Sequence, residues 1–429
     1  MSEHGTRRTR RMQEQRWLLD TAIRTVGLEW DQPRLGSKIR AAGLEAEGDF
    51  RTAARKVRKF ADIHREFAAA ARKREARART LEEAGRFVAA GESYMAAALL
   101  WTTAAWPIFE ANATLHHYEE RTNSCYAGLI RHAPHPIARV DIPLGKRRMP
   151  AYLHLPRAPA KGERFPACIL VGGMDSTKES LVSLYGDRLL SRGFACLALD
   201  GPGQAESVTR GIFFSHGNFA EAGLAAFDFL SRHAAIDASR VVMRGVSFGS
   251  YFGTVAAAGL GDRIKGFAAT GVCQEPGCHT IFETASPTFK ARFMFMSGYD
   301  DEAAFDRFRK KIDLRPFAPK ITAPYMVIAG ENDQLSPLAH TEDLFRRITA
   351  PKRLIIFEGA NHSVGDAPSV ENGEEKNTLI ADWLLERIAG KPMQSERVWV
   401  DSRGEAHAAA FDSPSPNGRL KGTKPKARS

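Results

Sequence analysis

Apolar residues recur at three- and four-residue spacing through the first third of this chain, then give way to short continuous apolar runs. Trp17, Leu18 and Leu19 with Ala22, Ile23 and Val26 mark one helical face, and Val57, Phe60, Ala61, His64, Phe67 and Ala68 mark another. Thr80 and Glu83 have capping-box spacing, which predicts a helix start ahead of Phe87 and Val88. The helical pattern resumes over 94–101 and again from Tyr118 to Ile130, so residues 17–137 read as an all-helical unit. From 138 the period changes. A hairpin over 139–143 and 149–155 turns at Gly145, and buried-strand runs follow at 166–171, 195–199, 240–244, 266–271, 324–330 and 352–357. Helical stretches lie between them. This alternation predicts an α/β fold, a doubly wound and mostly parallel sheet with an antiparallel start, over 138–392.

Three segments fall outside that rhythm. Residues 274–319 are long for a connection and carry Phe282, Phe289, Phe293, Phe295 and Phe305, so they read as a lid inserted between two core strands. Residues 1–16 read as a basic flexible tail, and 393–429, beyond an amphipathic helix at 378–388, as a loose extension ending in a disordered basic tail.

Composition sharpens the picture in two places. Of the net charge of +11, residues 1–80 hold +9 (20 Lys/Arg against 11 Asp/Glu) and residues 413–429 hold +5, leaving the rest at −3. Basic charge confined to the periphery, with no recognition motif, predicts no nucleic-acid partner. Five scattered cysteines offer neither a disulfide framework nor zinc-ligand spacing, and there is no apolar run of membrane-spanning length or secretory pattern at the start. The expectation is a cytoplasmic protein without a metal or membrane anchor.

The candidate chemistry sits at a strand-to-helix junction. Gly245-Val246-Ser247-Phe248-Gly249 follows a buried-strand run and opens a helical one, which is the setting of a nucleophile elbow. Asp333 lies just past the 324–330 strand and His362 just past the 352–357 strand, so Ser247, Asp333 and His362 appear in the order nucleophile, acid, base. Glu331 is a neighbouring alternative to Asp333. One oxyanion donor is expected from the Phe248 N–H, the other from the Gly173–Met174 loop after the 166–171 strand. Ser176 and Glu179 are spaced as a capping box for the helix behind that loop.

These features resemble the α/β-hydrolases. The helical segment placed ahead of the core, with Gly172-Gly173-Met174-Asp175-Ser176-Thr177-Lys178-Glu179 and Asp200-Gly201-Pro202-Gly203-Gln204, is similar to the dihydroxypseudooxynicotine hydrolase group of esterase-like proteins over residues 20–390. The resemblance implies cleavage of a carbon–carbon bond between an aromatic ring and a ketone, a homodimer, and a role for Asp175, which stands where the relative is expected to carry glutamate. Asp175, Trp106, Tyr94 and Phe293 are the candidate substrate contacts. Three functions remain open: C–C hydrolysis of an aryl ketone or polyketide-like compound, carboxylester hydrolysis of bulky aromatic esters, and non-catalytic ligand binding. A serine triad needs no cofactor for either reaction.

Overall fold

The computed structural model describes residues 9–411. Ten strands form one sheet: β1 (Ile137–Leu144), β2 (Arg147–His154), β3 (Phe165–Val171), β4 (Ala195–Leu199), β5 (Ile236–Val246), β6 (Phe267–Thr270), β7 (Tyr325–Gly330), β8 (Lys352–Phe357), β9 (Glu396–Val400) and β10 (Ala406–Ala410). Their spatial order is β1-β2-β4-β3-β5-β6-β7-β8-β9-β10. β1 and β2 pair antiparallel, as do β2 with β4 and β9 with β10, and every other pair is parallel. The chain leaves β3 outward to β4 and returns to β5 on the other side of β3. Where strand order reverses in this way, the loops at the carboxyl ends part and leave a crevice. β3, β4 and β7 are buried along their whole length because helices cover both faces, which is why they read as continuous apolar runs.

Ahead of the sheet lie helices at Arg16–Thr25, Arg34–Ala42, Glu47–Lys56, Ile63–Glu83, Phe87–Ala105 and Ala113–His132. The Phe87–Ala105 helix is apolar nearly all round and, beyond its exposed first turn, mostly buried, so it forms the centre of this layer. Its core includes Phe50, Phe67 and Trp101, and it extends without a break to Tyr152, Val208, Ala291 and Phe295 of the α/β part. The two parts therefore share apolar packing and are not joined by a linker alone.

Several expectations are corrected. Residues 9–16 are not a loose tail: Thr9 caps a helix at Arg10–Glu14, Met12 is buried, and the Arg11 guanidinium donates to the carbonyls of Phe282 and Ala285. Residues 1–8 lie outside the described residues. Thr80 starts no helix. It lies inside Ile63–Glu83 with its hydroxyl donating back to the Ala76 carbonyl, because a strong helix-forming run overrides the local capping pattern. The extension after 393 supplies β9, which pairs parallel with β8, and β10. Short strands of mixed and alanine-rich composition carry little signal in a sequence. The basic tail at 412–429 lies outside the described residues. Between β6 and β7 are helices at Pro287–Ser297 and Glu302–Arg309, and Phe282, Phe289, Phe293, Phe295 and Phe305 are all buried. Phe282, Phe293 and Phe305 pack on one another and two of them reach Phe248, so these rings are core. Among the described residues no helix is long and apolar enough to cross a membrane.

Candidate active site

Ser247 sits at the end of β5 with φ 53° and ψ −126°, and the helix Phe248–Leu260 begins at the next residue. Such a backbone is strained for a side-chain-bearing residue and is sustained by what flanks it. A Cβ on Gly245 would meet the Gly249 carbonyl oxygen at 2.3 Å, and one on Gly249 would meet the Val171 carbonyl oxygen at 2.2 Å. Only glycine fits either place, and the result is a serine hydroxyl half-exposed above the sheet.

The Ser247 Oγ lies 3.1 Å from His362 Nε2. His362 Nδ1 lies 3.0 and 2.9 Å from the two oxygens of Asp333. Asp333 Oδ1 also accepts the N–H groups of Leu335 and Ser336, and His362 is positioned through its N–H to Gln334 Oε1 at 3.0 Å. Both side chains are buried. Glu331, the alternative acid, instead accepts the Gly359 N–H at 2.9 Å and closes the two loops together. Three residues scattered over 115 positions thus converge because β5, β7 and β8 end on the same sheet edge. Cys273 Sγ lies 3.8 Å from the serine oxygen, where burial raises the thiol well above its ordinary value.

The loop after β3 approaches from the other side, and Gly173 packs against Ser247. Its N–H donates to Ser176 Oγ at 3.0 Å, so Gly173 is not free to serve among the expected oxyanion donors. The Ser176 hydroxyl is spent on that bond, so the expected capping box is absent: the helix begins at Lys178 with Thr177 before it. As the first residue of its helix, Phe248 has an N–H with no intrahelical acceptor. The loop is held from behind by Gln204, whose side-chain amide donates to the carbonyls of Gly172 (2.7 Å) and Gly173 (3.2 Å). Gln204 was missed as a site residue, although its motif was visible.

The two motifs meet again in a buried ion cluster. Lys178 Nζ lies 2.7 Å from Glu179, 3.2 Å from Asp200 and 2.8 Å from Glu206. Burial alone would lower the Lys178 ammonium, but the three carboxylates hold it well above its ordinary value. Burial raises the Asp200 carboxyl against that attraction.

A cavity of about 50 Å³ lies between the helical layer and this cluster, lined by residues that include Trp106, Glu119, Asp175, Arg292 and Phe295. It meets the loop after β3 at Asp175. Ser247 itself is not among its lining residues. Of the predicted substrate contacts, Trp106 and Asp175 touch, with the indole N–H donating to Asp175 Oδ1 at 2.9 Å. Arg34 completes the group, with Nε 3.3 Å from Asp175 Oδ2 and its guanidinium stacked 4.6 Å over the Trp106 ring. Nothing in the sequence around Arg34 singles it out. The other two contacts are corrected. Tyr94 is inside the helical layer, its hydroxyl donating to Glu82, and Phe293 is a core ring against Phe248; Phe295, on another face of the same helix, lines the cavity.

Burial pushes the Glu119 carboxyl up to about 7, although Thr209 donates to it. A raised carboxyl favours the folded state only while protonated, so its stabilisation is full below the unfolded value near 4.5 and lost as pH rises through 7. Glu119→Gln is expected to raise the melting temperature by a few degrees at pH 8 and by much less at pH 5. Thermal unfolding at the two pH values decides this, and an equal or larger gain at pH 5 would refute it.

Sheet order and elbow define an α/β-hydrolase, and solved structures that resemble this one agree in fold. The crystal structure of 2,6-dihydroxy-pseudo-oxynicotine hydrolase superposes with a TM-score of 0.71 over 84% of this chain and 98% of its own, at 22% identity. AbyA5 gives 0.60 over 82% and 96%, at 17% identity. The chain belongs to the FrsA-like esterase family, whose pattern matches residues 66–298. It is 25% identical over 323 residues to the 2,6-dihydropseudooxynicotine hydrolase of Paenarthrobacter nicotinovorans, covering 72% of this chain and 82% of that one. Esterase FrsA of Photobacterium profundum is 30% identical over 125 residues, 29% of each chain.

Proposed function

We propose that this α/β-hydrolase is a serine hydrolase acting on a hydrophobic, aromatic carbonyl compound, with Ser247 as nucleophile, His362 as base and Asp333 as the acid that orients it. The 3.1 Å contact between Ser247 Oγ and His362 Nε2, continued to both oxygens of Asp333, carries the reading. His362 takes the hydroxyl proton as Ser247 attacks the carbonyl carbon, and Asp333 fixes the imidazole tautomer and stabilises the imidazolium. The oxyanion is received by the N–H groups of Phe248 and Met174, each worth about 3 kcal/mol of barrier. His362 then protonates the leaving group, and water, activated by the same imidazole, releases the acyl group.

The bond cut is a C–C bond of an aryl ketone, by analogy with the pseudooxynicotine hydrolase relative. One observation favours ester cleavage as the second reading. A carbanion leaving group needs an acid at carbon, and the carboxylate nearest the oxyanion loop, Asp175, is engaged by Arg34 and Trp106. An alkoxide needs only His362. Products from a panel of C-acylated phenols and p-nitrophenyl esters separate the two. A fluorophosphonate is expected to label one serine, mapped to 247; labelling elsewhere moves the nucleophile.

A further inference from the structure

The cavity behind the oxyanion loop has apolar walls but carries more charged side chains than the few that an ordinary substrate pocket places among its apolar ones. Most of those charges are already matched. Lys178 is filled by three carboxylates, and Asp175 by Arg34 and Trp106. Two cations remain. Lys38 Nζ has one hydrogen bond, to the neutral Thr102 hydroxyl at 3.2 Å, and no ion pair among the described residues. Arg292 is 8% exposed, its Nε is buried without a hydrogen-bond partner, and its carboxylate neighbour, Asp175 Oδ1, stands 3.9 Å off. Lys38 is half-buried and Arg292 buried, and cations with unused donors in such places are costly unless something pairs with them. Burial lowers both: Lys38 to about 8, and Arg292 from its ordinary value.

We propose that Lys38 and Arg292 form a subsite for a carboxylate carried by the substrate of the Ser247 site. The space, about 50 Å³, holds a few waters or one carboxylate head, and not an aromatic ring. Trp106, Ala105 and Phe295 supply its apolar wall. The ammonium offers two free donors and the guanidinium one, which suits the four lone-pair sites of a carboxylate. The proposal rests on the hydrolase reading for its substrate, but the subsite binds independently of turnover.

The test compares the mono-p-nitrophenyl ester of glutaric acid with p-nitrophenyl valerate, near-isosteric esters differing in the terminal carboxylate. The wild-type ratio of kcat/KM, glutarate ester over valerate ester, is expected to fall at least tenfold in Lys38→Met and in Arg292→Met, mainly through KM for the charged ester. Lys38→Arg is expected to keep most of the ratio. Lys38→Gln replaces Lys38→Met should the latter fail to fold. An unchanged ratio in all of these variants overturns the subsite. Calorimetric titration of free glutarate into Ser247→Ala protein gives a readout without turnover. Binding that is lost on adding Lys38→Met supports the subsite, and no binding overturns it. If neither ester is hydrolysed and a fluorophosphonate labels no serine while glutarate still binds, the serine-hydrolase reading fails and the anion subsite stands.

Discussion

Ser247→Ala is expected to lower kcat/KM by at least about 10³-fold on whichever substrate the protein turns over best, with its melting temperature unchanged. The size follows from how the three residues are arranged. His362 Nε2 has the serine hydroxyl as its partner at 3.1 Å, so without Oγ the imidazole has nothing to deprotonate and the acyl-enzyme cannot form. What survives is the contribution of the oxyanion donors and the pocket to direct attack by water. The fold should be indifferent. Alanine carries the same Cβ at the same strained φ of 53°, and the glycines that make the turn possible are untouched. Steady-state kinetics together with thermal unfolding read both halves, and wild-type turnover by this variant would sink the serine-hydrolase reading.

Asp333→Asn is expected to cost about 10³- to 10⁴-fold in turnover, whereas Glu331→Gln should stay within about twofold. The Asp333 carboxylate faces His362 Nδ1 with both oxygens and so holds the proton on that nitrogen, leaving Nε2 free to accept from Ser247. An amide turned to present its NH₂ selects the opposite tautomer. The same substitution keeps an oxygen for the N–H groups of Leu335 and Ser336, so loss of activity would reflect chemistry and not a collapsed loop. Glu331 does something else: its carboxylate accepts the Gly359 N–H, a bond that glutamine can also accept. If the Glu331 variant loses activity and the Asp333 variant does not, the acid has been misassigned.

Much of this was legible along the chain. The continuous apolar runs of β3, β4, β7 and β8 exist because both faces of those strands are covered, so burial wrote itself into consecutive residues. Gly245 and Gly249 are dictated by backbone oxygens 2.3 and 2.2 Å from where a Cβ would stand, and a constraint that severe marks the elbow in sequence. Asp333 and His362 could be found because they follow such strands directly. Local patterns misled where tertiary contacts outbid them: Ser176 has capping spacing but gives its hydroxyl to the Gly173 N–H, and Thr80 was absorbed into a 21-residue helix. β9 and β10 were invisible because a strand of five residues at the end of a sheet is stabilised by its partner and not by its own composition.

What only the folded chain decided is which side chains meet across long separations. Nothing in sequence distinguishes Phe293, packed on Phe248, from Phe295, two residues on and lining the cavity; the difference is the face of a helix buried on both sides. Nor does any spacing bring Arg34 to Asp175, 141 positions away, or place Lys38 and Arg292 in one cavity with donors left unused. The physical reason is one of range. Strands, turns and the elbow are set by interactions among near neighbours, and these repeat in recognisable patterns. Charge pairing inside a cavity depends on which distant surfaces close around it, and that is settled when the helical layer docks on the sheet.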